Sequence, residues 1–146
     1  VTSRTWVAPA VFGAFDGLTS SLGVLLALAG QPHLVLPTAV GVGSAEMVGM
    51  AAGQWQSDSE DGPGAAVVIG VATGAGCVLP AVPFAVVPPT AAAIASAILV
   101  LAVTAAIARL RADRGRVRAA VESYAILAAT AVVVLLVHLL TPGGGA

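Results

Sequence analysis

Five long apolar runs follow one another along the chain, at residues 6–29, 34–55, 65–87, 90–110 and 119–140, separated by Gly, Pro or charged residues. Each approaches the roughly 20 residues that a helix needs to cross a hydrocarbon core of about 30 Å, so the pattern predicts five membrane-spanning helices in one bundle. The first break is Gly30-Gln31-Pro32-His33, and the second is the acidic cluster Asp58, Glu60 and Asp61 followed by Gly62-Pro63-Gly64. The third is Pro88-Pro89, where the missing amide donor and the restricted residue before proline stop a helix. An arginine-rich stretch forms the fourth, and a Gly-rich tail follows the fifth run. No segment reads as a separate soluble domain. The first run is longer than the apolar core of a signal peptide, holds Asp16 near its middle and has only Arg4 before it as a basic residue. It is therefore expected to span rather than to be cleaved. The sequence opens on Val1 rather than Met, and a few upstream residues are expected.

Composition sharpens the class. With 58% hydrophobic and 9% charged residues and a mean hydropathy of +1.01, a soluble fold of 146 residues has too little interior to hide its apolar surface. A net charge of −1 and the lack of a basic stripe with interleaved aromatics argue against a nucleic-acid partner. The single cysteine, Cys77, excludes an internal disulfide and reads as a small buried residue. The six basic residues are Arg4 and then Arg109, Arg111, Arg114, Arg116 and Arg118, all five between the fourth and fifth runs. Five spans put both groups on one side, so the positive-inside rule predicts a cytoplasmic N-terminus and an outside C-terminus. The membrane expected is the cell membrane, or a vacuole-type membrane in a eukaryote.

Two carboxylates fall inside spans, Asp16 midway along the first and Glu46 midway along the second. A carboxylate there costs about 2.5–3.5 kcal/mol on insertion scales, so it is expected to face a bundle interior or a water-filled path. Steps of three and four place Gly13, Asp16, Gly17 and Ser20 on one face of the first helix, and Glu46, Met50, Gly53, Gln54 and Ser57 on one face of the second. A carboxylate, a thioether and an amide in line suit a transition metal better than Mg²⁺ or Ca²⁺, which gain nothing from a thioether. Asp16, Glu46, Met50 and Gln54 are therefore the candidate metal residues, with Asp58, Glu60 and Asp61 as an acidic cytoplasmic entrance. Small-xxx-small spacing at Gly13/Gly17, Gly49/Gly53 and Gly70/Gly74 predicts close helix packing or a dimer face, and Gly13 and Gly17 point to a dimer along the first helix. Pro80 and Pro83 predict a kink late in the third helix, with freed carbonyls that a neighbour must satisfy. His33 and His138 read as interfacial. No His or Cys pair has metal-site spacing, and no phosphate loop, nucleophile elbow or haem-attachment motif is present, so no enzyme is expected.

The run Gly13-Ala14-Phe15-Asp16-Gly17-Leu18, continuing through Ser20, Ser21, Leu22 and Gly23, resembles the first-helix signature of the vacuolar iron transporter family. Gly49-Met50-Ala51-Ala52-Gly53-Gln54-Trp55 is similar to that family's Met-Ala-Ala-Gly-Glu-Tyr stretch, and Gly70 through Pro80, Pro83 and Phe84 to its Gly-rich third helix with Pro-x-x-Pro-Phe. The basic loop leading to Glu122 sits where the family carries one before its last helix. The resemblance implies a homodimer of five-helix subunits that moves Fe²⁺, and often Mn²⁺, out of the cytoplasm in exchange for protons, with no permanently bound cofactor. It also implies a metal path at the dimer interface that includes Asp16 and Met50, with Glu46 as acidic partner one turn before Met50. Two departures stand out. Gln54 replaces the family's usual Glu, and the stretch 56–64 leaves no room for the carboxylate-rich cytoplasmic domain that many relatives carry between the second and third helices. These departures favour the alternative, a non-transporting membrane scaffold or accessory subunit that keeps the fold. Asp16, Glu46 and Met50 together favour the transporter, which is the main expectation, since a scaffold has no need of costly carboxylates in the bilayer.

Overall fold

A computed structural model of the chain describes residues 6–57, 62–111 and 115–140, with only the backbone of Arg116. The described residues form α1 (Val7–Ala27), α2 (Pro32–Ser57), α3 (Gly62–Val78), a 3-10 helix (Leu79–Ala85), α4 (Pro89–Leu110) and α5 (Arg116–Leu140). With the 3-10 helix continuing α3, these make five spans of 21 to 26 residues, each long and apolar enough to cross a bilayer. The chain is a helical membrane protein.

Proline and glycine set the ends. Pro32 opens α2 and Pro89 opens α4, first-turn positions where an amide has no helical partner to lose. Gly62 and Gly115 take positive φ, 72° and 89°, immediately before or at the start of α3 and α5, a backbone conformation that costs glycine nothing. The second helix thus starts two residues earlier than its apolar run, because Pro32 and His33 lie in its first turn rather than in a loop.

The third helix lies at the centre, with α1 on one side and α2 on the other. Its glycines and those facing it bring backbones together. A β-carbon on Gly17 would overlap the Thr73 carbonyl, and one on Gly70 would lie 2.5 Å from the Met47 carbonyl. Many buried positions are small or hydroxylated, including Ser21, Thr73, Ser96, Thr104 and Ser123, beside a few larger ones such as Leu18 and Val35, whereas Val48, Val67, Ile94, Ile98, Leu139 and Leu140 point outward. Lipid is as apolar as these side chains, so the bundle gains from close backbone contact and internal hydroxyls rather than from hiding large apolar groups. Two clusters tie in the remaining elements: Leu18, Val100 and Leu127 join α1, α4 and α5, and Val35, Ala39 and Ala81 join α2 to the 3-10 helix.

At Pro80 and Pro83, where the sequence predicts a kink, the α-helix gives way to 3-10 geometry. The amide of residue 83 would bond to the carbonyl of residue 80 in such a helix, and Pro83 has none. Ser96 on α4 takes its place, its hydroxyl donating to the Pro80 carbonyl at 2.5 Å. At the far end of α4, Tyr124 donates to the Leu101 carbonyl at 3.1 Å, and Glu122 receives Arg118 at 2.8 Å and Arg111 at 3.8 Å.

Candidate metal site between the first two helices

Asp16 and Ser20 lie one turn apart on α1, both half-buried, on the side that looks toward α2. Glu46 is midway along α2 and half-buried. Ser20 Oγ donates to Glu46 Oε1 at 2.5 Å, so the two helices, each packed mainly on α3, are joined by a polar bond inside the spanning region. The other oxygen, Glu46 Oε2, is buried without a hydrogen-bond partner. Thr19 donates to the Asp16 carbonyl at 2.7 Å, which turns its hydroxyl away from the carboxylates. Cys77 sits where α1, α2 and α3 meet, its amide against Gly17 and its β-carbon against Gly43. The Cys77 thiol is fully buried and points to the Ala39 carbonyl at 3.5 Å, in keeping with its expected role as a small buried residue.

Two carboxylates and a hydroxyl within about one helical turn of each other have the chemistry to hold a divalent cation. Oε2 of Glu46 and the Asp16 carboxylate supply charge, and the Ser20 hydroxyl fixes the geometry. Met50 and Gln54 continue the Glu46 stripe at successive turns of α2 and are also half-buried. Among the described residues, no three His, Cys, Asp or Glu side chains come together as a metal cluster, so the remaining ligands of a bound ion would be oxygens, water or the Met50 thioether.

The glycines divide into two groups. Gly13 and Gly17 lie against Ile69, Thr73 and Cys77 of α3, within the chain. That close approach is therefore used internally, which corrects the expectation of a dimer meeting along those two glycines of the first helix. Gly49 and Gly53 are exposed, with nothing within 4 Å of where a β-carbon would stand. Asp58, Glu60 and Asp61, the expected cytoplasmic entrance, lie outside the described residues.

The sequence placed Ser20 on the Asp16 face but gave it no role. Its signal was the four-residue step from Asp16, which puts a hydroxyl one turn from a costly carboxylate; the partner across the helix gap was not readable. Comparison of the chain with family models, with curated proteins and with solved structures finds no match.

Proposed function

We propose that this chain carries divalent transition-metal ions, Fe²⁺ or Mn²⁺, out of the cytoplasm in exchange for protons. The observation that carries this reading is Glu46 Oε2, a buried carboxylate oxygen in a spanning helix with no protein partner, held one helical turn from the level of Asp16 by Ser20. An orphaned acceptor in that setting is costly unless a cation or a proton completes it. Alternate occupation by the metal and by protons is the chemistry of an exchanger: the ionised pair binds M²⁺, and proton uptake by Asp16 and Glu46 lets the ion leave. The motifs around Asp16 and Met50 point the same way. The arginines favour a cytoplasmic N-terminus, and the outward direction is the one that the resemblance implies.

The working unit in this reading is a homodimer joined through α2. Gly41, Ala45, Gly49 and Gly53 recur every fourth residue, all exposed, and the three glycines have open space where a β-carbon would be. Glu46 and Met50 are each three residues before one of these glycines, so two such faces meeting would bring both copies of the Glu46-Met50-Gln54 stripe to the joint. The scaffold alternative is favoured by one observation, that no third His, Cys, Asp or Glu joins the two carboxylates among the described residues.

Equilibrium binding decides between them. Purified protein in detergent should deplete free Mn²⁺, read by its electron paramagnetic resonance signal, and Glu46→Gln and Asp16→Asn should each abolish the depletion. Equal binding in both variants and the wild type would overturn the assignment, and no binding in any would favour the scaffold.

A further inference from the structure

Resting on the metal-carrying reading above, we infer that Ser20 is a specificity-determining residue: by holding Oε1 of Glu46 in a hydrogen bond it biases that carboxylate to meet a cation through Oε2, so the site favours small six-coordinate metal ions over Ca²⁺. The two oxygens of Glu46 have different fates. Oε1 receives the Ser20 hydroxyl at 2.5 Å, and Oε2 is buried with no partner. A carboxylate held in this way offers Oε2 first, and closing on an ion with both oxygens would strain or break the bond from Ser20. Ca²⁺ takes six to eight oxygens at about 2.3–2.6 Å and commonly uses both oxygens of a carboxylate, whereas smaller ions are satisfied by six ligands and single carboxylate oxygens.

The surroundings reinforce the restriction. Ser20 sits on α1 and Glu46 on α2, and both helices are clamped to α3 by glycine contacts at Gly17, Gly43 and Gly70, so the spacing between the hydroxyl and the carboxylate is set by the backbone. Thr19, the neighbouring hydroxyl, is committed to the Asp16 carbonyl at 2.7 Å and offers no substitute donor. Without the Ser20 hydroxyl, Oε1 becomes available and Glu46 can close on one ion with both oxygens. Discrimination against Ca²⁺ then falls.

Competition of Ca²⁺ with Mn²⁺ on the purified full chain, read by the signal of free Mn²⁺, tests this. In the wild type, Ca²⁺ should displace Mn²⁺ only at large excess. Ser20→Ala and Ser20→Gly should each narrow that Ca²⁺-to-Mn²⁺ ratio about tenfold, the scale of one hydrogen bond to a charged group. Ser20→Thr, which keeps the donor, should restore the wild-type ratio, a rescue that a merely structural role would not produce. An unchanged ratio in both hydroxyl-deleted variants, or loss of Mn²⁺ binding in both while the wild type binds, would overturn this inference alone. Failure of the wild type to bind Mn²⁺ would overturn the metal-carrying reading and this inference with it.

Discussion

Gly17 of α1 faces Thr73 of α3 so closely that a single methyl group on Gly17 would overlap the Thr73 carbonyl. The contact is backbone on backbone, and neither side can yield by turning a side chain. Gly17→Ala should therefore cost about 1–3 kcal/mol, the usual range for overpacking, and Gly17→Leu should yield no folded protein, measured by thermal unfolding and gel filtration in detergent. Gly49 provides the contrast, since nothing stands within 4 Å of its missing β-carbon. Gly49→Leu should melt like the wild type but run as a monomer. A Gly49→Leu dimer as tight as the wild type would remove α2 from the interface.

Ser96 and Pro80 make a second point of fragility. Ser96→Ala leaves the Pro80 carbonyl buried without a donor, because Pro83 has no amide to offer. Loss of one buried partner typically costs about 1–3 kcal/mol, so the variant should unfold at a lower temperature, with Ser96→Thr closer to the wild type. An unchanged melting temperature in Ser96→Ala would show that this carbonyl has another partner.

Particular residues show how far the sequence reached. Span number and type were legible because apolar runs of the right length admit few alternatives in a chain this hydrophobic. Pro80 and Pro83 announced a break but not its form, since the change to 3-10 geometry depends on Ser96, which lies on a different helix. Gly13 and Gly17 announced close packing but not the partner, because small-xxx-small spacing says only that a backbone comes near. The carboxylates of the candidate site were legible one by one through their cost in a bilayer. The bond from Ser20 to Glu46 was not, for it joins residues 26 positions apart whose contact is created by α3.

The positive-inside rule predicts a topology from the arginines and the odd number of spans. In a Cys77→Ala background, a cysteine at position 114 should react with an impermeant maleimide only from the cytoplasmic side, and one at position 144 only from outside. Labelling of both from the same side would contradict five spans, and exchanged sides would contradict the cytoplasmic N-terminus.

Residues on the α2 stripe should separate charge from softness. Met50→Leu keeps volume and apolarity, so folding and assembly should persist, but it deletes the thioether that favours a softer ion. Fe²⁺ flux should fall more than Mn²⁺ flux. Gln54→Glu adds an ionisable ligand one turn beyond Met50 and should preserve or raise flux of both. Equal loss of the two fluxes in Met50→Leu would show that the thioether is packing, not a ligand.

The central claim, that Asp16 and Glu46 carry a metal ion in exchange for protons, is tested most directly by metal flux into proteoliposomes. Wild-type protein should move Fe²⁺ or Mn²⁺, read by a trapped metal-sensitive dye, faster with an opposing pH gradient than without one. Asp16→Asn, which keeps the shape but not the charge, should abolish that flux while remaining folded. Full flux in Asp16→Asn, or no flux in the wild type under either condition, would contradict the account.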